Sequence, residues 1–436
     1  MQYKIKLKQW HKIVIFLVLI GMFIFLLYPK QENEVTVGII SGSSWDVPQG
    51  ISNSNDQIDY AIELFHQQHP DTKVTYVSGI RMDDYQEWLS QSIMKDECPD
   101  VFLLPSNMYD TFAHIGALKS LDSLLENDPT ISKDDFYSVS YVGDEPNSLY
   151  ALPYQSVPNL VFVNKTLLEQ LQIEVPNTNW TWNDLYTISE AISTYNKQNQ
   201  TNYYSYVGYG WLEAVYSNNG SVYNSISNEV DFGNSQFIQA IEYMRKLTTL
   251  NVGTNQSDLF DKGQVAFSVM NYSDYRTYMP YPYRVKKFSN FEWDCVALPS
   301  GINGDNISSV DTLSVAISAN TSHTSLAWDF AKVLAANQTY QSYLVKEGEG
   351  VSVLPSVMKD EEVLEYLKED NPGDSDFNFS SIDEVMNKGV AVRNTQQYSQ
   401  VLSLANETIV DLMYNQTDIN NALVRLSNEI NEYLKK

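Results

Sequence analysis

"YALPYQSVPNLVFVNK", Tyr150 to Lys165, sets strand-forming residues around two prolines, Pro153 and Pro158. Proline donates no ladder hydrogen bond, so neither is expected deep in a central sheet. The stretch predicts a strand that stops, turns through PYQSVP and resumes as NLVFVNK. VALPSG at 296–301 repeats the same succession of strand, Leu, Pro and turn.

On either side the hydrophobic pattern alternates between two periods. VTVGII (35–40), KVTYVSGI (73–80) and PDVFLLPS (99–106) read as short strands. Between and after them, DQIDYAIELFHQQHP, MDDYQEWLSQSIMKD and NMYDTFAHIGALKSL read as helices, the first with Ile58, Ala61, Ile62 and Phe65 on one face. This alternation predicts βαβ crossovers, hence a mainly parallel sheet with helices on both faces and ligands beyond the carboxyl ends of the strands. After Lys165, NWTWNDLYTISEAISTYN and SQFIQAIEYMRKLTTLN read as helices, and GQVAFSVMNYSDY (263–275) as a strand with a polar, aromatic end. Two more strands flank a hairpin-like NGD at 303–305. A final amphipathic helix carries Ile419, Ala422, Leu423, Leu426, Ile430, Tyr433 and Leu434.

A chain of 436 residues exceeds what one hydrophobic core holds, about 250 to 300 residues. The expected architecture is α/β with two lobes, 35–150 plus 298–348 and 151–297 plus 349–436. The proline-bearing crossings near 151–158 and 296–300 would then serve as a hinge.

Composition narrows the function. With 54 acidic and 28 basic residues the formal charge is −26, which repels nucleic acid. Thirty Tyr and eight Trp suit a pocket for a ligand with polar rims and CH-rich faces. Lys4, Lys6, Lys8 and Lys12 precede the uncharged run Ile13 to Tyr28, a basic segment and an apolar one that predict export. No small-residue cleavage site follows and the first cysteine is Cys98, so residues 13–28 are expected to anchor the body at the outer face of the membrane. The alternative is a cleaved signal and a secreted protein. Cys98 and Cys295 are expected to remain unbonded. GxxxxGK, HExxH and GxSxG motifs are absent, and GYGWLE has Glu213 where a dinucleotide fingerprint needs glycine. His66 and His69 lack further ligands at metal spacing, and DSDFN at 374–378 lacks the glycine of a calcium loop, so no metal or other cofactor is expected.

The ordered set SGSSWD, AIELFHQQHPDTKVTYVSG, CPDVFLLPS, GALKSLDSLL, YALPYQSVPNLVFVNKTLLE, NWTWNDL, FDKGQVAFSVMNYSDY, WDCVALPSG and SVAISANTSHTSLAWDFAKVLA resembles the extracellular solute-binding proteins of family 1, the sugar-binding subunits of ABC importers. The resemblance spans about residues 35 to 350. It implies a two-lobe, periplasmic-binding-protein-like fold of type II, a monomer that closes on a sugar or oligosaccharide and delivers it to permease subunits, with no catalysis. Two departures stand out: the lipobox cysteine usual in Gram-positive members is missing, and the stacking Trp that often follows GKAAM is replaced by the tyrosines of NYSDY.

Sugar recognition needs an aromatic face for the CH side of the ring and planar polar groups for adjacent hydroxyls. Strand-end position and the resemblance together nominate Trp45, Asp46, Ser106, Asn107, Tyr154, Gln155, Trp211, Tyr272, Asp274, Tyr275 and Asp311. Two other functions stay open at this stage. One is a surface glycan hydrolase using two of the many carboxylates. The other is a receptor for a cationic solute such as a polyamine, suggested by the acidic balance.

Overall fold

In the computed structural model the decisive stretch is one strand, not two. β4 runs unbroken from Ala151 to Asn164 with both prolines inside it. Its first half, Ala151 to Pro158, pairs antiparallel with β9 (Ser309–Ile317), and Asn159 to Val163 pair antiparallel with β7 (Val265–Asn271). Pro153 adjoins a register shift, and Pro158 is the last rung on β9 before the neighbour changes. Each proline therefore sits where the ladder is already interrupted, which is how a sheet accommodates a residue without an N–H. The expected break is a change of partner. The structure describes residues 33–41, 54–77, 79–143, 148–277, 291–369, 380–392 and 395–435.

β1 (Glu34–Gly38) lies between β2 (Lys73–Val77) and β3 (Val101–Leu104), parallel to both. β3 pairs antiparallel with β9, and the short β10 (Val390–Ala391) runs parallel to β9. Beyond β4, β7 is parallel to β5 (Tyr204–Val207), which is parallel to β6 (Gly253–Thr254). β8 (Trp293–Val296) is antiparallel to β4. The order is β2-β1-β3-β9-β4-β7-β5-β6. The α/β architecture is present, with a mixed sheet: parallel on both flanks, antiparallel where β4 and β9 join them. The NGD segment makes no hairpin, because β8 and β9 both pair with β4 at different points along it, Val296 opposite Val161 and Val310 opposite Pro158.

The apolar side chains form two clusters. β4 feeds both through its pleat: Leu160 and Phe162 pack in the first, Val161 and Val163 in the second. The first takes β1, β2, β3, β9 and the helices Ser54–His66 and Thr324–Ala336. It also takes apolar residues from Val351 to Leu367 and from Ile382 to Met386, which the sequence division grouped with the second lobe. The second holds the helices Trp182–Asn199, Ser235–Thr248, Gln396–Tyr414 and Ile419–Leu434. Local chemistry starts these helices. Thr181 and Asp184 form a capping box, and Asn234 and Asp418 accept the third N–H of their helices.

The second passage between the clusters lies later than the Leu-Pro motif. Leu298 still packs in the second cluster, Ser300 donates from its N–H at 3.0 Å and from its Oγ at 3.4 Å to the Trp180 carbonyl, and Asn306 donates at 2.8 Å to the carbonyls of Trp180 and Leu298. The chain joins the first half of β4 only at Val310. Cys98 and Cys295 are free thiols. Among the described residues no helix is long and apolar enough to cross a membrane, and no His, Cys, Asp and Glu group has metal-holding geometry. The proposed anchor at 13–28 and the DSDFN segment lie outside the described residues.

Candidate ligand-binding cleft

The carboxyl ends of β5 and β7 lie side by side, Val207 opposite Ser268, and β7 ends at Asn271 opposite Asn159 of β4. A cavity of about 670 Å³ opens there, beside the point where β4 changes partner. Asn159, Glu213, Asn255 and Asp274 line it. None of its described lining residues is Lys or Arg.

Glycine shapes the entry. Gly208 has φ +74°, and a Cβ there would lie 2.4 Å from the Val269 carbonyl oxygen, so only glycine lets the chain fold this closely over β7. The chain then enters the helix Trp211–Ser217, where the Gly210 N–H donates to Glu213 Oε2 at 2.9 Å and fixes that carboxylate at the helix start. Burial pushes the Glu213 carboxyl up, and the backbone bonds at Glu213 and Gly210 offset part of the rise.

Glu213 and Asn255 also line a second cavity of about 540 Å³, with Tyr209, Trp211 and Asn406 in its wall. Trp211 Nε1 donates to Asn406 Oδ1 at 3.1 Å, so an indole edge and a planar amide are held together. Across β4, Ser106 opens the helix Ser106–His114 and its Oγ donates to Asp311 Oδ1 at 2.8 Å. Asp311 lies opposite Val157, two residues before Asn159. Asn107 Oδ1 is buried with no hydrogen-bond partner among the described residues.

The nominated residues thus separate. Asp274 lines the first cavity, Trp211, itself buried in the second cluster, edges the other, and Ser106, Asn107 and Asp311 gather where the end of β3 meets the start of β9. Tyr154 is inside the first cluster, its hydroxyl 3.1 Å from that of Tyr340, and burial pushes its phenol up to about 12. Gln155 is buried beneath Gly348 and Gly350. Tyr272 and Tyr275 are buried; Tyr275 packs 5.5 Å from Phe162 and 5.2 Å from Trp293 between ring centroids. Trp45 and Asp46 lie outside the described residues. Sequence reading passed over Asn159, Glu213, Asn255 and Asn406. Asn159 had a signal, a polar residue directly after the second proline, and Glu213 had been met only as a failed glycine. Asn406 had none, since a helix almost two hundred residues away in sequence delivers it.

Residues 51–341 match the model of the family described as bacterial extracellular solute-binding protein. The chain belongs to this family. Solved structures agree in fold. The sugar-binding protein MalE of Xanthomonas citri has a TM-score of 0.74 at 16% identity, covering 92% of this chain and 97% of its own. The cyclic alpha-maltosyl-1,6-maltose binding protein of Arthrobacter globiformis has a TM-score of 0.73 at 18% identity, with coverages of 92% and 99%. An ABC substrate-binding protein of Listeria monocytogenes in complex with cycloalternan has 0.67 at 17%, with the same coverages. No curated protein matches the chain in sequence. This solute-binding protein shares its family and fold with binding proteins, not enzymes.

Proposed function

We propose that this solute-binding protein captures a carbohydrate between two lobes and passes it to the permease of an ABC importer. The observation that carries the reading is the pair of cavities near the strand ends that share Glu213 and Asn255 in their walls. Trp211 and Tyr209 supply aromatic surface there, and Asn159, Asn255, Asn406, Glu213 and Asp274 supply planar hydrogen-bonding groups. That combination suits a ring with apolar faces and hydroxyl edges. The named structures of like fold include one in complex with cycloalternan and a cyclic alpha-maltosyl-1,6-maltose binding protein. The lobes are taken as 35–150 with 298–348 and 151–297 with 349–436, save that 351–367 and 382–386 share the first core. Ser106, Asn107 and Asp311 are proposed to meet the ligand from the first lobe, and Trp45 and Asp46 are proposed as further ligand contacts. The protein acts as a monomer at the outer face of the membrane, tethered by residues 13–28.

A second reading, a cationic solute, is favoured by one feature: Glu213, Asp258, Asp261 and Asp274 line the larger cavity without a lysine or arginine. One experiment separates the two. The full-length chain in detergent is melted against mono-, oligo- and cyclic glucosides and spermidine, with each mixture checked for product. Ligand at ~100 times its dissociation constant adds about 2.7 kcal/mol to stability. A shift with a glucoside and no product supports carbohydrate capture. A shift with spermidine alone, weakened by salt, moves the protein to cation binding. No shift with any sugar defeats the leading proposal.

A further inference from the structure

The two cavities that share Glu213 and Asn255 differ in chemistry. The first carries amides and carboxylates, Asn159, Asn271, Asp261 and Asp274 among them. The second is walled largely by apolar and aromatic side chains. Helix Gln396–Tyr414 gives it Leu402, Asn406, Val410 and Tyr414, spaced four apart and so on one face. Tyr206 of β5, Trp211 and Met244 add buried surface, and Tyr414, 69% exposed, offers an open ring in the same wall. Burial pushes the Tyr206 phenol up, as expected of a wall poor in water. Gly253 on the edge strand β6 makes the room: a Cβ there would lie 2.6 Å from Tyr206 Cζ, so only glycine lets the ring come this close.

The polar atoms of this second wall are engaged by the protein itself. Thr248 Oγ1 donates to the Arg245 carbonyl at 2.9 Å, with the Met413 carbonyl at 3.1 Å. Asn406 Oδ1 accepts from the Trp211 indole, Glu213 Oε2 from the Gly210 N–H, and Thr254 Oγ1 from the Gln256 N–H at 3.2 Å. A sugar ring seated here would bring hydroxyls to groups already bonded, and a hydroxyl stripped of water without a partner is costly. A flat apolar ring brings no such group and gains from the area it buries. At about 540 Å³ the cavity is of the size, ~300 to 1,000 Å³, that takes a small-molecule fragment.

We propose that the second cavity is the seat of an aryl group carried by the solute, so that the captured class is an aryl glycoside, its sugar in the first cavity and its aglycone in the second. The walls shared through Glu213 and Asn255 put both within reach of one solute. The glycoside half of this rests on the carbohydrate reading above; the aryl seat does not.

The test has two arms, both on the full-length chain in lipid nanodiscs with empty discs as blank. In the first, the fluorine resonance of 4-fluorophenol is recorded with the parent and with Leu402→Trp, whose larger ring fills the cavity from the helix face. The line is expected to broaden beyond the blank with the parent and to lose that broadening with Leu402→Trp. In the second, glucose, galactose, xylose and maltose are titrated beside their phenyl glycosides. A phenyl glycoside is expected to bind at least about tenfold tighter than its free sugar, and Leu402→Trp to remove the difference. No broadening with the parent overturns the proposal, as does a phenyl glycoside no tighter than its sugar, or a Leu402→Trp protein of parental circular dichroism that keeps both effects. Affinity that rises from glucose to maltose but not with the phenyl group overturns it in favour of a second sugar. Where Leu402→Trp does not fold, Val410→Phe takes its place with the same outcomes. Broadening that Leu402→Trp abolishes, with no glycoside bound, sinks carbohydrate capture and leaves the aryl seat standing.

Discussion

Gly304→Ala tests how the loop after β8 is seated, and with it the support of the cleft helix. A Cβ at Gly304 would lie 1.8 Å from the Ser217 oxygen, 2.6 Å from the Ser217 carbonyl carbon and 2.7 Å from Asn218 Cα. All three are backbone atoms at the end of the helix that begins with Trp211, so no side chain can swing aside. Restoring ordinary contact moves the loop by about 1 Å or more. Three bonds are then stretched past hydrogen-bonding range: Gly301 N–H to the Ser217 oxygen at 2.8 Å, Asn303 N–H to Asn218 Oδ1 at 2.9 Å, and Asn303 Nδ2 to Gln239 Oε1 at 2.6 Å. At about 1 kcal/mol each, less roughly 0.5 for the stiffer unfolded chain, the cost is about 2 to 3 kcal/mol. For a unit of this size that lowers the melting temperature by roughly 4 to 12 °C. Differential scanning calorimetry reads it, with Gly116→Ala as control. Gly116 has φ +71° and nothing within 4 Å of an added Cβ, so it carries backbone strain of about 1 to 2 kcal/mol without a clash. Because the displaced helix holds Trp211 and Glu213, ligand affinity falls with Gly304→Ala and not with Gly116→Ala. A Gly304→Ala protein that melts within about 1 °C of the parent refutes the reasoning.

Other outcomes follow from the same geometry. Asp274→Asn weakens binding of the ligand found by melting about tenfold, or 1.4 kcal/mol by titration calorimetry. Burial raises the Glu213 carboxyl, so the folded state keeps that proton more tightly than the unfolded chain and loses stability as pH rises from about 4.3 through the raised value; Glu213→Gln therefore raises the melting temperature at pH 7 and leaves it unchanged near pH 3. Burial alone would also lift Asp128, but Lys332 Nζ at 2.6 Å, Thr130 and the Trp328 indole at 2.9 Å hold it well below the usual carboxylate range. Its contribution is complete above about pH 4 and lost as acid reaches its lowered value, and Asp128→Asn costs about 1 to 3 kcal/mol at pH 7 while flattening the acid limb of a denaturant titration. Tyr154→Phe removes the buried bond to Tyr340, costs about 1 kcal/mol and leaves ligand affinity unchanged, measured by melting with and without ligand.

What the chain disclosed in advance, and what it withheld, divides along the range of the forces involved. Strand and helix periods and caps such as Thr181 and Asp184 act over a few residues, so the alternation from Val35 onward was legible and the α/β class came with it. The prolines of β4 were legible as markers and misleading as breaks. A missing N–H forbids a rung, but it does not forbid a strand whose rungs are handed from β9 to β7 at that residue. The hairpin at 303–305 failed for a related reason: turn chemistry proposes a partner, while β4, fourteen residues long, had room for both strands. Aromatic residues show the limit most plainly. Tyr154 and Trp211 both sit near strand ends and looked equivalent, yet the register shift beside Pro153 accompanies Tyr154 packed against Tyr340, while Gly208 and Gly210 carry Trp211 to the cavity wall beside Asn406. Residue type named the chemistry in both cases. Which of the two came to edge the cavity of about 540 Å³ was decided by partners 186 and 195 positions away, and no local rule reaches that far.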